Sequence, residues 1–258
     1  MRYRLLLTGV FLAFSLAVSH GDDGQTARAS KIQFTMPDGL VQTAWFLPSP
    51  AAGEPPLLVL LHMMGHDHGS YDPFIESLQN YVKSDSARQC LMPHILNFDL
   101  RGHGESVRAG DREIPYHKMA DSDFVRIPED IRLTVAYLLA DTGYGINAGG
   151  IMIIGASIGA NSAILTSELL PNVRKVAMLS PGEDYRGLRP ASAMKNFHRD
   201  MLICVARMDD YSRTSSESLM LLDPKNCRLR VYEGGEHGTD IINNNPRAMQ
   251  DLLTWLCE

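Results

Sequence analysis

Ile151-Met-Ile-Ile-Gly-Ala-Ser-Ile-Gly-Ala-Asn-Ser-Ala-Ile-Leu165 is the stretch on which the reading of this chain turns. An apolar run ends at Gly155, a serine follows at position 157, Gly159 comes two residues later, and a helix-like segment leaves. The spacing G-x-S-x-G places Ser157 on a sharp turn between a buried strand and a helix, where small neighbours let the backbone close. Such a turn lifts the hydroxyl into the open at the top of a parallel sheet. The N–H groups of the following helix then face any negative charge that develops there.

Outward from that turn the pattern repeats. Lys31 to Met36 and Leu40 to Leu47 alternate apolar and polar residues around Pro37-Asp38-Gly39, which predicts an antiparallel hairpin at a sheet edge. Leu57 to His62 is a continuous aliphatic run, the mark of a strand buried on both faces. Further strands are expected at His94 to Leu100, Val173 to Leu179, Met201 to Ala206 and Leu229 to Tyr232. Helices are expected at Tyr71 to Ser84, Ile127 to Ala140, Ser215 to Leu222 and Pro246 to Leu256, with a polar loop from Arg101 to about Asp121. Strands that alternate with helices after an initial hairpin predict an α/β fold: a mainly parallel sheet with helices on both faces. The segment from Ser180 to Arg199 has Pro181 and Pro190 and is too short for a large cap domain.

The chain has 258 residues, 45% hydrophobic and 21% charged, which suits a single domain over residues 22–258. Residues 1–21 read as a secretory signal peptide. Arg2 and Arg4 precede the apolar run Leu5 to Val18, and Ala17-Val18-Ser19 offers a small-residue cleavage site, with Gly21 as the other position. The run is short for a membrane span, and an uncleaved anchor is the alternative. The expectation is an exported protein, secreted or periplasmic, without a stable membrane span after cleavage. Loss of residues 1–21 would move the net charge from −6 to −8. With no basic cluster, nucleic-acid binding has no electrostatic support. Oligomeric state is not legible. Of the four cysteines, Cys204 lies inside an apolar run and is expected as a buried thiol. Cys227 and Cys257 are the expected disulfide, because a helix returning antiparallel to its strand brings those positions to one edge.

A serine hydroxyl needs an adjacent base, itself oriented by an acid. In a parallel sheet such groups gather at the carboxyl ends of strands. Asp209 and Asp210 follow the strand Met201 to Ala206, and His237 follows Leu229 to Tyr232. The order Ser157, Asp209, His237 matches the order this architecture uses, with Asp210 the alternate acid. An oxyanion hole needs two backbone N–H donors. Ile158 is expected to supply one and Met64 the other, with Met63 the alternate, from His62-Met63-Met64-Gly65.

Five segments together resemble the α/β-hydrolase superfamily, in its dienelactone-hydrolase-like and small serine esterase branch. They are Leu60-Leu-His-Met-Met-Gly65, Asn97-Phe-Asp-Leu-Arg-Gly-His-Gly-Glu-Ser106, Gly155-Ala-Ser-Ile-Gly159, Ala206-Arg-Met-Asp-Asp210 and Gly235-Glu-His-Gly238. Met63 departs from the glycine common in that superfamily, and a serine stands where dienelactone hydrolases proper have cysteine. The Asp99-to-Gly104 segment reads as a structural turn. The resemblance implies a serine hydrolase that cleaves small-molecule carboxylic esters through an acyl-enzyme, without a cofactor. The alternatives are a peptidase or thioesterase on the same residues, or a binding protein that keeps only the fold. Tyr116, His117 and Tyr185 are expected to line the substrate site. His62, His66, His68 and Asp67 do not have the spacing of a familiar metallohydrolase box, and no metal is expected. Glycine is missing where a dinucleotide fingerprint needs it, at Ser157.

Overall fold

In the computed structural model residues 29–84, 90–140 and 142–258 are described. The signal-peptide reading of residues 1–21 and the loose polar stretch after it lie almost wholly outside these residues.

The strands are β1 (Ser30–Thr35), β2 (Val41–Leu47), β3 (Leu57–Leu61), β4 (His94–Phe98), the two-residue β5 (Arg108–Ala109) and β6 (Arg112–Glu113), β7 (Ile151–Ala156), β8 (Val173–Leu179), β9 (Asp200–Ala206) and β10 (Cys227–Tyr232). Eight of them form one sheet in the order β1-β2-β4-β3-β7-β8-β9-β10. The hairpin β1–β2 is antiparallel, and β2 also runs antiparallel to β4; every later pairing is parallel.

The helices are α1 (Asp72–Ser84), α2 (Asp121–Phe124), α3 (Ile127–Ala140), α4 (Ile158–Leu169), α5 (Ala191–Phe197), α6 (Asp210–Met220), α7 (Thr239–Asn244) and α8 (Pro246–Cys257). Alternation along each central strand sends successive side chains to opposite faces. Leu57, Val59 and Leu61 pack with Ile131 and Val135 of α3, Ile164 of α4 and Phe197 of α5. Leu58 and Leu60 pack instead with Phe74 and Leu78 of α1, Ile241 of α7 and Leu252 of α8. This two-sided burial is why β3 reads as an unbroken aliphatic run. Between β8 and β9 the only helix among the described residues is the short α5, so this connection carries no large cap domain.

Three details differ from the sequence reading. The polar loop after β4 contains the β5–β6 ribbon and runs into α2, and α5 and α7 stand where the sequence predicted no helix; all are too short to show a periodicity. Helix α6 starts at Asp210 rather than at position 215, directly after the turn at Asp209. The disulfide joins Cys90 to Cys257, not Cys227 to Cys257. Cys227 is a buried free thiol whose neighbours lie on the α3–α5 face, whereas α8 packs its apolar residues on the other face beside α1. Cys90 precedes β4, beyond the end of α1, and so lies on the side where α8 ends. Cys204 is a buried free thiol, as expected.

Candidate active site

The turn between β7 and α4 has the strain its sequence predicts. Ser157 has φ 54° and ψ −116°, a conformation costly for any residue with a Cβ. It is held by the Ser157 N–H bond to the Leu179 carbonyl at 2.8 Å and by the glycines on either side. A Cβ on Gly155 would stand 2.1 Å from the Gly159 oxygen, and one on Gly159 would stand 2.3 Å from the Leu61 oxygen. Both glycines are therefore required by close backbone approach: Gly155 lets the turn fold over, and Gly159 lets α4 lie against the end of β3.

Three distant segments converge on the hydroxyl. His237 Nε2 lies 2.7 Å from Ser157 Oγ, and His237 Nδ1 lies 2.7 Å from Asp209 Oδ2. Asp209 immediately precedes α6, yet its carboxylate caps no helix N–H and is left for the imidazole. Asp210, the alternate acid, points to solvent, 3.8 Å from Arg213. Because a carboxylate at this distance only accepts, Nδ1 carries the proton, and Nε2 is left to accept from the serine hydroxyl.

The segment after β3 is fixed by His62. This fully buried ring bonds the Met63 carbonyl through Nδ1 at 2.7 Å and accepts the Leu100 N–H on Nε2 at 2.9 Å. Carbonyl and N–H of a trans peptide point in opposite directions. Pinning the Met63 carbonyl to the His62 ring therefore turns the Met64 N–H away from that ring. The N–H groups of Met63, Met64 and Ile158 make no hydrogen bond to another described residue. The Met63 side chain, in place of the usual glycine, is buried on the α1–α8 face. A Cβ on Gly238 would stand 2.6 Å from its sulfur, so Gly238, with φ 60°, makes room for the methionine.

Burial, reinforced by nearby His103, pushes the His62 pKa from 6.5 down to about 3 and keeps the ring neutral in its two-bond role. The unfolded chain takes up this proton below pH 6.5 and the folded chain does not. The stabilisation is thus complete above pH 6.5 and is lost as pH falls toward 3. Between pH 7.5 and 5, His62 alone should remove about 2 kcal/mol, and buried His94 and His103, both also lowered, act in the same direction. Urea unfolding at the two pH values checks this, and equal stability would contradict it.

The expected substrate-lining residues fall in two places. Tyr185, in the loop after β8, meets the His237 ring edge-on with centroids 6.4 Å apart. Tyr116 stacks on His103 at 4.6 Å, and its hydroxyl lies beside Gly65, next to the Met64 segment. His117 is exposed and meets the Tyr116 ring edge-on, with centroids 5.6 Å apart. Asp99 is structural: its buried carboxylate accepts the His68 N–H, the His68 ring and the Glu105 N–H. Ligand atoms of Asp67, His68 and Asp99 come within 4.8 Å of one another, but holding a cation there would compete with those bonds.

The sequence reading missed Ser180, Ser212 and Asn161. Ser180 is buried, with φ 52°, and its hydroxyl accepts the N–H of Gly238, the residue after His237. Asn161, one turn along α4 from Ser157, bonds the backbone of Gly182 and Leu188 and so fixes the loop that carries Tyr185. None of the three left a signal in the sequence: Ser212 lies three residues after Asp209, before the helix expected from Ser215.

The sheet order, the strand-to-helix turn at Ser157 and the convergence of acid and imidazole at the strand ends define the α/β-hydrolase fold, and this chain has it. Solved structures with this architecture superpose over most of its length. An esterase from Pyrococcus furiosus is 15% identical, with 89% of this chain and 92% of that one covered, at a TM-score of 0.65. A dienelactone hydrolase from Anabaena variabilis is 13% identical, covering 90% and 97%, at a TM-score of 0.68. A 2,6-dihydroxy-pseudo-oxynicotine hydrolase is 15% identical, covering 90% and 68%, at a TM-score of 0.69. No family profile and no curated protein sequence matches the chain.

Proposed function

We propose that this protein is a serine hydrolase that cleaves carboxylic esters of small molecules. The observation that carries the reading is the unbroken relay from Asp209 through His237 to Ser157, with both contacts at 2.7 Å. His237 Nε2 takes the hydroxyl proton as Ser157 attacks the ester carbonyl, and Asp209 orients the ring and stabilises the imidazolium. The N–H groups of Ile158 and Met64 receive the oxyanion, with Met63 the alternate donor. His237 then returns the proton to the leaving alcohol, and water, activated by the same imidazole, releases the acid from the acyl-enzyme. The esters are favoured over peptides and thioesters by the esterases among the similar structures and by a β8–β9 connection without a large cap domain.

We also propose that residues 22–258 work as one domain outside the cytoplasm. The signal-like start at residues 1–21 and the Cys90–Cys257 disulfide both support export, since disulfides persist in oxidising compartments. No helix of the described residues is long and apolar enough to cross a membrane.

A fluorophosphonate probe tests the chemistry directly. The wild type should be labelled covalently and Ser157→Ala should not; a folded wild type that stays unlabelled would refute the reading. A panel of p-nitrophenyl esters, acyl thioesters and peptides should then rank esters first.

A further inference from the structure

On the acid side of the imidazole the structure holds a second set of groups, not needed for the relay itself. Ser212 Oγ lies 3.5 Å from His237 Nδ1, Tyr185 Oη lies 3.0 Å from Ser212 Oγ, and the Tyr185 hydroxyl donates to the Ser180 carbonyl at 3.4 Å. Only one direction of donation satisfies all three contacts. Nδ1 carries one proton, directed at Asp209, which can only accept; Ser212 Oγ, farther off, accepts the weaker arm of the same bifurcated N–H. The Ser212 proton is then free for Tyr185, and the Tyr185 proton for the Ser180 carbonyl, which also can only accept. Hydrogen bonds aligned head to tail polarise one another, so the chain presents its negative end to the imidazole.

We propose that Ser212 and Tyr185 are positioning residues: a hydrogen-bonded chain from Nδ1 to the Ser180 carbonyl that supports the His237 imidazolium alongside Asp209. The inference rests on the hydrolase reading for its consequence in catalysis, but the chain acts on the ring whether or not an ester is present.

The parts are built to stay in place. Ser212 is fully buried, and Ser180 is fixed at both ends, its N–H on the Cys204 carbonyl and its hydroxyl on the Gly238 N–H. Tyr211 clamps the loop that carries Tyr185: its hydroxyl donates to the Asp184 carbonyl at 3.0 Å and accepts the Asp184 N–H at 3.2 Å. Burial, opposed only in part by hydrogen bonds to Ser212 and Ser157 and reinforced by nearby Asp209, raises the Tyr185 pKa and keeps the phenol a neutral donor. Asp209 faces the ring from the turn after β9, Tyr185 from the loop after β8 and Ser157 from the start of α4. Glu236 beside His237 and Asp210 beside Asp209 are the adjoining charges in sequence, and both are retained in the variants below.

The decisive measurement is the NMR titration of the His237 ring in the wild type, Ser212→Ala and Tyr185→Phe, assigned with a His237→Gln control. Removing support from the imidazolium should lower the titration midpoint by about half a unit in both variants, and Ser212→Thr should restore it. On a p-nitrophenyl ester the acid limb of kcat/KM should move down by the same amount in both variants, and in Ser212→Ala kcat should fall about threefold with KM unchanged. An unmoved or raised midpoint in either variant overturns the proposal, including when kcat falls, because a merely structural role would slow the reaction without moving the titration. A wild type that hydrolyses no ester would defeat the functional reading while leaving the titration to decide this one.

Discussion

Alanine at position 157 is expected to lower kcat on a p-nitrophenyl ester about 10⁶-fold, with the protein still folded. The size follows from the role proposed for the group. Nucleophile and base act as one unit, and losing either leaves only what binding and the oxyanion donors contribute, on the order of 10³-fold over water. His237→Ala should therefore cost nearly as much as Ser157→Ala, and the double variant should be no slower than either alone. Asp209→Ala leaves serine and base in place and should cost less, about 10⁴-fold. Initial rates with the purified variants, checked for contaminating esterase by the labelling probe, decide the matter. Losses that multiply in the double variant, or a Ser157→Ala protein that keeps even a hundredth of the activity, would remove Ser157 from the chemistry.

A second large effect is expected where there is no chemistry. Arg101 is almost fully buried and forms a fork with Asp130, both bonds at 2.7 Å, while its other terminal nitrogen reaches Asp38 at 2.6 Å. Burial raises the Asp130 pKa, against the pull of Arg101. Burial would likewise lower the Arg101 pKa, but its two carboxylate partners outweigh that and hold it above its ordinary value. Arg101→Ala strands a carboxylate in the core, and breaking such a pair from one side costs about 3–5 kcal/mol. The damage should reach the site as well. Arg101 follows Leu100, whose N–H holds the His62 ring, and that ring holds the Met63–Met64 peptide. Denaturant unfolding of Arg101→Ala, Asp130→Ala and a paired Arg101→Met/Asp130→Leu variant checks this. The paired variant should recover most of the stability because it strands no charge. A single variant that loses less than about 1 kcal/mol would show that the pair is not the anchor described.

The strength of the sequence signal varied from residue to residue for physical reasons. The Ser157 turn was legible because sterics permit few residues at Gly155 and Gly159, and both restrictions lie within five positions of each other. His237 and Asp209 were legible as strand-end residues, though only their proximity in space separates Asp209 from Asp210. Ser180 left no trace, because a left-handed serine at a strand end looks like any serine before a proline. The Ser212–Tyr185 contact joins a helix to a loop 27 residues away, and nothing local encodes it. The disulfide was misread for a related reason: end-to-end proximity of β10 and α8 was legible, but the face of the sheet toward which Cys227 points was not.

By itself the sequence determined the alternation of strands and helices, the two-sided burial of the central strands and the strained turn that carries Ser157. Each of these is written in neighbouring residues, as a period of apolar side chains or as glycine where a Cβ cannot fit. Only the tertiary structure decided which carboxylate meets the imidazole, which cysteine meets Cys257 and which hydroxyls stand behind His237. Those choices depend on directions of side chains brought together from distant parts of the chain, and direction across a sheet is fixed by packing rather than by any local pattern.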